Sequence, residues 1–357
     1  MSKKTEFQNK LLSTVISGND PQVKEKYLDM ISHARRIVPK RLFRYRSCDE
    51  RSLDALLNDR MYFGTPARFN DPFDSVVDFD SQGRRKMFAG VTKEQLVQGT
   101  EYFLKNGLPS QLSIHPNTGN LATMMRESLL SNEGEAEAFS KFMAEVSGGV
   151  IAQITSLADS NADELEKIYQ QVISETFVGC FTETVDSMLM WSHYADWHKG
   201  FTLEYDLHNL QSPCVGCQAP CGSSWDYAVY PVIYRKDRFN AMEAIPERVL
   251  YSIAKNHGVP VTFQTHDVFF FVKANIVKSL KWKYEREWRL IFACTNPKTN
   301  YLPLKPKAIY LGHKISENAI ADAEAKITEY AKRNGIKLYQ MKLNMDNPKF
   351  QLDRVEV

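Results

Sequence analysis

The segment FVGCFTETVDSMLMWSHYADWHKGFTLEYD, residues 177–206, constrains the fold more than any other. It opens on a short apolar run, Phe177-Val178-Gly179-Cys180-Phe181, closed by polar Thr182, Glu183 and Thr184. That is the pattern of a buried strand. It ends on Gly200-Phe201-Thr202-Leu203-Glu204-Tyr205, whose alternation suits a second strand. Between them a helix is predicted from Ser187 to about Trp197, with Asp186 or Ser187 to cap its start and Gly200 to end it. At helical spacing Met190, Tyr194 and Trp197 share one face, and Trp191, Tyr194 and His198 an adjacent one. Trp191, His193, Tyr194, His198 and Lys199 therefore fall close together. Aromatic faces beside hydrogen-bond donors suit a ring-shaped ligand such as a nucleotide base. The competing expectation is a core helix whose Trp and Tyr have their polar atoms satisfied.

Other segments carry similar signals. Residues 42–46 (LFRYR) read as a strand, 49–57 as an amphipathic helix capped by Ser47 or Asp49, and 61–64 as a second strand. So short a strand–helix–strand unit places Arg44 or Arg46 near the end of the second strand. Asp71, in Asn70-Asp71-Pro72, suits turn capping more than catalysis. Residues 227–234 read as a strand interrupted by Pro231, hence at an edge or bulge. Helices are predicted at 239–250, 265–280 and 319–333, and strands at 288–293, 308–312 and 336–343. This near-alternation gives an α+β class with a mixed central sheet. Residues 41–357 are expected to form one α+β domain, with a helical insertion at 81–176 and a Cys-rich loop at 208–224. Residues 1–40 are expected to form a helical N-terminal extension. Its stripe of Leu11, Leu12, Val15 and Ile16 packs on the domain or supports a homo-oligomer.

Composition excludes several classes. A net charge of +2 draws the protein neither to nucleic acid nor to a membrane as a whole. No apolar run reaches transmembrane length, and the N-terminus has no apolar signal core, so a cytoplasmic protein is expected. Six Cys do not suggest a disulfide scaffold. Cys214, Cys217 and Cys221, with His208 upstream, suit a structural zinc, although the second ligand pair lacks the usual two-residue spacing. A reduced Cys-rich loop is the alternative. Gly-rich phosphate loops are absent, which argues against ATPases and ordinary dehydrogenases. Glu285 and Glu287 lead into the strand at 288–293 on one face, with Arg286 opposite. Two such carboxylates can divide catalytic work. The bland alternative is a surface ion-pair ladder with Arg286 and Arg289, worth little.

The motifs LFRYRS (42–47), YFGTPARFNDPFD (62–74), CFTE (180–183), MWSHYADWHKGFTLEYD (190–206), KWKYEREWRL (281–290) and AIYLGHKIS (308–316) follow one another in order. Together they resemble a bacterial family known as domain-of-unknown-function family 2971. The resemblance implies a bacterial effector, since some members lie near phage-defence or toxin genes. Neither the Cys-rich loop nor the N-terminal helices belong to that pattern.

A second likeness is to the ADP-ribosyltransferases. Arg on a first strand, a Ser/Thr–aromatic strand in the middle and Glu-x-Glu before a late strand are similar to their arrangement. It implies NAD as substrate. Arg44 or Arg46 would hold its phosphate or ribose in two-point fashion. Tyr45 or Tyr62 would stack on the nicotinamide. Glu287 would stabilise the oxocarbenium-like centre, and Glu285 would guide a protein or nucleic-acid acceptor. Asp71 and Arg289 join the expected substrate-binding set. The chain departs from that pattern in having Phe181-Thr182-Glu183-Thr184 in place of Ser-Thr-Ser, and in the long insertion between Arg44 and Glu285. Two other classes compete. One is a metal-dependent nuclease, with Asp71, Asp74, Glu285 and Glu287 around a divalent ion, His193 or His198 as base and Lys199 as phosphate stabiliser. The other is a non-catalytic module whose aromatic cluster binds a nucleotide or peptide.

Overall fold

A computed structural model describes residues 2–17, 20–79, 127, 169–170, 173, 176–208, 228–241, 267–293 and 300–357. The predicted insertion at 81–176, the Cys-rich loop and the helix at 239–250 lie almost wholly outside those residues.

The chain begins with helices α1 (Lys3–Ser13) and α2 (Val23–Ile37). Ser2 caps α1, its hydroxyl accepting the Thr5 N–H at 3.1 Å. Phe7 and Leu11 of α1 and Met30, Ile31 and Ala34 of α2 are buried with Tyr230, Phe269, Phe270 and Ile276. The apolar stripe is therefore used largely within the chain: Leu11 and Ile16 are buried, while Val15 stays exposed. A buried Lys273–Asp267 ion pair anchors this extension. Lys273 Nζ donates to the Thr14 carbonyl at 2.6 Å, and Asp267 Oδ1 accepts the Ile16 N–H at 3.3 Å.

Next come β1 (Leu42–Arg46), α3 (Glu50–Leu57) and β2 (Arg60–Tyr62). Asp49 caps α3 by accepting the Ser52 N–H at 2.8 Å. β3 (Thr176–Thr182), α4 (Met188–Tyr194) and β4 (Phe201–Tyr205) follow the order predicted for residues 177–206. Ser187 caps α4, but the helix stops at Tyr194 rather than near Trp197. Asp196, Trp197 and His198 all adopt left-handed backbone, with φ of 44°, 53° and 70°. Gly200 then lies against β1, where an added Cβ would come 2.1 Å from the Arg46 carbonyl oxygen.

The predicted helix at 265–280 is also shorter. It is α5 (Phe270–Ile276), which runs directly into a strand. That strand, β7 (Val277–Ser279), pairs in parallel with β6 (Ile233–Arg235), just after β5 (Val229–Pro231). A 3-10 turn, Leu280–Glu285, leads to β8 (Glu287–Ala293). β9 (Tyr301–Pro303) pairs with β2 in a small separate sheet. β10 (Ala308–Leu311), α6 (Ala323–Asn334), β11 (Lys337–Leu343) and β12 (Leu352–Glu356) complete the chain.

Eight strands form the main sheet in the order β12-β11-β10-β4-β1-β3-β8-β5. β10 and β11 are parallel and the other neighbours antiparallel, so the sheet is mixed. The parallel pair needs a crossover, which α6 supplies. Pro231 sits on the terminal strand β5, where its missing N–H costs the ladder least. One face is covered by α3 and α6 through Leu53, Leu56, Ile327 and Tyr330. The other carries two separate clusters, one with α1, α2 and α5, and one around Trp191 and Tyr310. Among the described residues no helix is long and apolar enough to cross a membrane.

That division follows from an interrupted ladder. β1 meets β4 at five residue pairs and β3 meets β8 at seven, but β1 meets β3 only at Phe43↔Thr182. Beyond that pair the strands part. Gly64 takes up the edge of β3 instead, exchanging backbone hydrogen bonds with Val178 at 3.2 and 2.8 Å. Gly179 allows this approach, because an added Cβ there would lie 2.6 Å from both Met61 Cε and Phe63 Cε1. A cleft is left between the two parts of the sheet.

Candidate active site

The cleft has a volume of about 320 Å³. Arg44, Tyr45 and Arg46 of β1 line one side, Cys180 and Thr182 of β3 another, and a charge cluster forms the floor. Register brings the cluster together. Thr182 faces Glu287 and Cys180 faces Arg289 across β3 and β8, and directly opposed residues point to the same side of a sheet.

Lys278 stands at the centre. Its Nζ lies 2.6 Å from Glu285 Oε2, 3.0 Å from Glu287 Oε2 and 3.3 Å from Asp74 Oδ2. Arg289 grips Asp74 with both terminal nitrogens, at 2.7 and 2.6 Å, and meets Glu287 at 2.7 and 3.1 Å. It also donates to the Asn275 carbonyl at 2.6 Å, and its guanidinium lies 5.0 Å from the centre of the Phe69 ring. All five residues are buried, so an interior cluster stands where the alternative reading placed a surface ion-pair ladder with Arg286 and Arg289. The reason is strand register, which turns Glu287 and Arg289 inward; Arg286, left-handed at φ 47°, points away from them.

The two glutamates differ electrostatically. Burial raises the Glu285 carboxyl, and the charge on Glu287 adds to this; Lys278 and Tyr194 offset only part. Burial also works against Glu287, but Arg289 and Lys278 outweigh it and hold its pKa down to about 2. One carboxyl is thus poised to exchange a proton while its neighbour stays ionised, a division of labour suited to acid–base chemistry beside a developing positive charge. The Tyr194 hydroxyl donates to Glu285 Oε1 at 2.5 Å and accepts from Asn70 at 3.2 Å. Thr182 donates to the Glu285 carbonyl at 2.6 Å, and the Tyr234 hydroxyl accepts the Glu287 N–H at 2.8 Å. Burial, then the Glu287 charge, keeps the Cys180 thiol protonated.

Arg44 Nη2 donates to the Tyr62 carbonyl at 2.7 Å, so the short unit places Arg44 at the end of the second strand. Its Nη1 is buried without a partner. Burial and the nearby Arg46 lower the Arg44 pKa to about 10.

Of the residues singled out in the sequence, the cleft brings together Arg44, Tyr45, Arg46, Tyr62, Tyr194, Glu285, Glu287 and Arg289. Trp191 does not line it. That side chain is fully buried, donates to the Val185 carbonyl at 2.7 Å and packs edge-on against Tyr45 at 5.1 Å. His193 is exposed, and His198 stacks on Trp191 with ring centres 6.1 Å apart. Lys199 also lies off the cleft, its carbonyl accepting from Asn318 at 3.2 Å. Asp71 caps its own turn, accepting the Phe73 N–H at 2.9 Å. His208 pairs with Asp206 at 2.9 Å, whereas Cys214, Cys217 and Cys221 lie outside the described residues.

Lys278 and Cys180 were not singled out. The carboxylates of Asp74, Glu285 and Glu287 already have an ammonium and a guanidinium between them. That arrangement suits charge–charge catalysis better than the divalent ion of the nuclease alternative. Among the described residues no group of three or more His, Cys, Asp or Glu is placed to hold a metal.

Fold and site together define an α+β protein with a split sheet and a charged, partly enclosed cleft. Residues 190–290 match the family described as "Protein of unknown function (DUF2971)", the family that the motifs resemble. The match includes Tyr194, Lys278, Glu285 and Glu287. No curated protein and no solved structure matches the chain.

Proposed function

We propose that the protein binds NAD in this cleft and cleaves its nicotinamide–ribose bond, passing ADP-ribose to a macromolecule or to water. The observation that carries the reading is the row Phe43–Thr182–Glu287 across three neighbouring strands. It sets the first strand, a threonine-bearing middle strand and a glutamate-bearing late strand side by side; Phe43 is the β1 member of that row, and Arg44 and Arg46, which alternate to the Leu203 face, line the cleft from the next positions. Their adjacency is what the likeness to ADP-ribosyltransferases requires. The opposed pKa shifts of Glu285 and Glu287 support it further.

The step balances simply. The bond from ribose C1′ to the pyridinium nitrogen breaks, and its electron pair leaves with nicotinamide. Glu287, ionised throughout, stabilises the positive charge left on the ribose. An acceptor hydroxyl or water attacks C1′ and gives its proton to Glu285. Arg44 and Arg46 are suited to the diphosphate. An enzyme of this kind fits the phage-defence or toxin setting that the family resemblance implies.

The test is calorimetric NAD binding with a nicotinamide-release assay, on wild type and Glu287→Gln, with circular dichroism as a check of folding. Both proteins are expected to bind NAD, and release is expected to fall at least about 100-fold in the variant. Wild type that neither binds NAD nor releases nicotinamide overturns the reading.

A further inference from the structure

A second cavity, also about 320 Å³, lies on the other side of Arg44 and Tyr62. Its walls carry Arg44, Arg46, Arg51, Arg60 and Arg68, with Tyr301 at one end. Five guanidiniums around one cavity, in a chain whose net charge is only +2, is a strong local concentration of charge. The carboxylate in the lining is Asp49, and both its oxygens are engaged: Oδ1 caps α3 and Oδ2 accepts from Ser47 at 2.6 Å.

Among the described residues most of these arginines have no ion-pair partner. Arg60 pairs with Asp54 at 2.7 Å. Arg46 donates to the Ser52 hydroxyl at 3.2 Å and Arg68 to the Tyr62 hydroxyl at 2.8 Å. Among the described residues Arg44, Arg46, Arg51 and Arg68 have no carboxylate within ion-pair distance. Arg44 is the most informative, because its Nη1 is buried and unpartnered. A buried cation donor beside another cation is costly unless an anion arrives. Guanidinium forks match phosphate oxygens two at a time. The aromatic side adds to this: Tyr62 and Tyr301 meet edge-to-face at 5.3 Å, and Arg60 lies over the Tyr301 ring at 5.1 Å. Half-buried aromatic rings among arginines suit a base attached to a phosphate.

We infer that this cavity is a second ligand site, taking the phosphomonoester end of a nucleotide, and that it shares the wall of Arg44, Arg46, Tyr62 and Arg68 with the carboxylate cleft. It goes beyond the NAD reading by assigning a phosphate-bearing second molecule to the opposite side of the Arg44–Tyr62 wall. The phosphomonoester belongs either to a free mononucleotide or to the end of an oligonucleotide.

The experiment is calorimetric titration of the full chain with AMP, with adenosine, and with a short oligonucleotide bearing a 5′-phosphate or a 5′-hydroxyl. Wild type is compared with Arg51→Glu, a change on an exposed face of α3 that lines only this cavity. AMP is expected to bind, adenosine to bind at least tenfold more weakly, and Arg51→Glu to weaken AMP at least tenfold. Tighter binding of the 5′-phosphorylated oligonucleotide than of AMP assigns the phosphate to a nucleic-acid end; equal or weaker binding assigns it to a free nucleotide. Two outcomes overturn the inference: no AMP binding, or AMP binding lost in Glu287→Gln but unchanged in Arg51→Glu, which places the phosphate in the cleft. AMP binding by a protein that neither binds NAD nor releases nicotinamide refutes the NAD reading and leaves this site standing.

Discussion

Replacing Lys278 with methionine removes one charge and keeps a stem of similar length. Asp74 and Glu287 then keep Arg289 and Glu285 keeps the Tyr194 hydroxyl, where an ammonium had stood 2.6 to 3.3 Å from each carboxylate. Removing one partner from a buried ion cluster costs about 3–5 kcal/mol. The loss depends on pH in a definite direction. The Glu285 carboxyl is already raised by burial and by Glu287, and without Lys278 it rises further. A carboxyl raised on folding takes up a proton in the folded state. Its contribution is complete below the unfolded pKa and is lost as pH climbs through the folded one. The deficit of Lys278→Met against wild type is therefore larger at pH 8 than at pH 5, and each further pKa unit adds about 1.4 kcal/mol at the higher pH. Urea unfolding followed by tryptophan fluorescence at both pH values measures it. A second change, Glu285→Gln, removes the excess negative charge and is expected to restore more than half of the pH 8 deficit. An equal deficit at both pH values, with no recovery in the double variant, would refute the electrostatic account and leave Lys278 a packing role.

Tyr194→Phe removes the donor on Glu285 Oε1, which leaves that carboxyl harder to ionise. Nicotinamide release is expected to fall about tenfold, with the acid limb of the pH–rate profile moved to higher pH; an unmoved limb would show that Tyr194 does not tune Glu285. Gly179→Ala places a methyl 2.6 Å from Phe63 and Met61. It is expected to destabilise by about 1–3 kcal/mol, read as a lower urea midpoint at unchanged slope, and an unchanged midpoint would mean that the Phe63 segment shifts freely.

Local patterns carried much of the fold. Asp49 and Ser187 cap the helices they were expected to cap, Asp71 closes its turn, and Pro231 lies at the sheet edge. The α+β class and mixed sheet follow from strands whose alternation is visible at 42–46, 201–205 and 308–311. Residues 265–280 misled because a short apolar run fits a buried helix or a strand, and only β6, more than forty residues earlier, supplies the partner that makes β7. The same limit hid half of the site. Glu285 and Glu287 were legible from spacing and Asp74 entered as a metal-ligand candidate, but Lys278, seven and nine residues before the glutamates, joins them only because the helix expected there gives way to β7. The aromatic density around Trp191 invited a ligand reading, whereas Trp191 spends its ring on Tyr45 and its N–H on Val185. Nothing local marks a strand that will pair with its neighbour at one residue only.

That lone pair between β1 and β3 sets cohesion against use. Zipping Arg44, Tyr45 and Arg46 onto β3 would add ladder hydrogen bonds and join two half-sheets into one. It would also shut the cavity and strand the guanidiniums against a closed wall. Selection for a sturdier chain and selection for an open one thus pull in opposite directions at these three residues, as active regions commonly trade stability for function. Engineering for heat resistance should therefore leave this seam alone and reinforce the far strands β10, β11 and β12 instead.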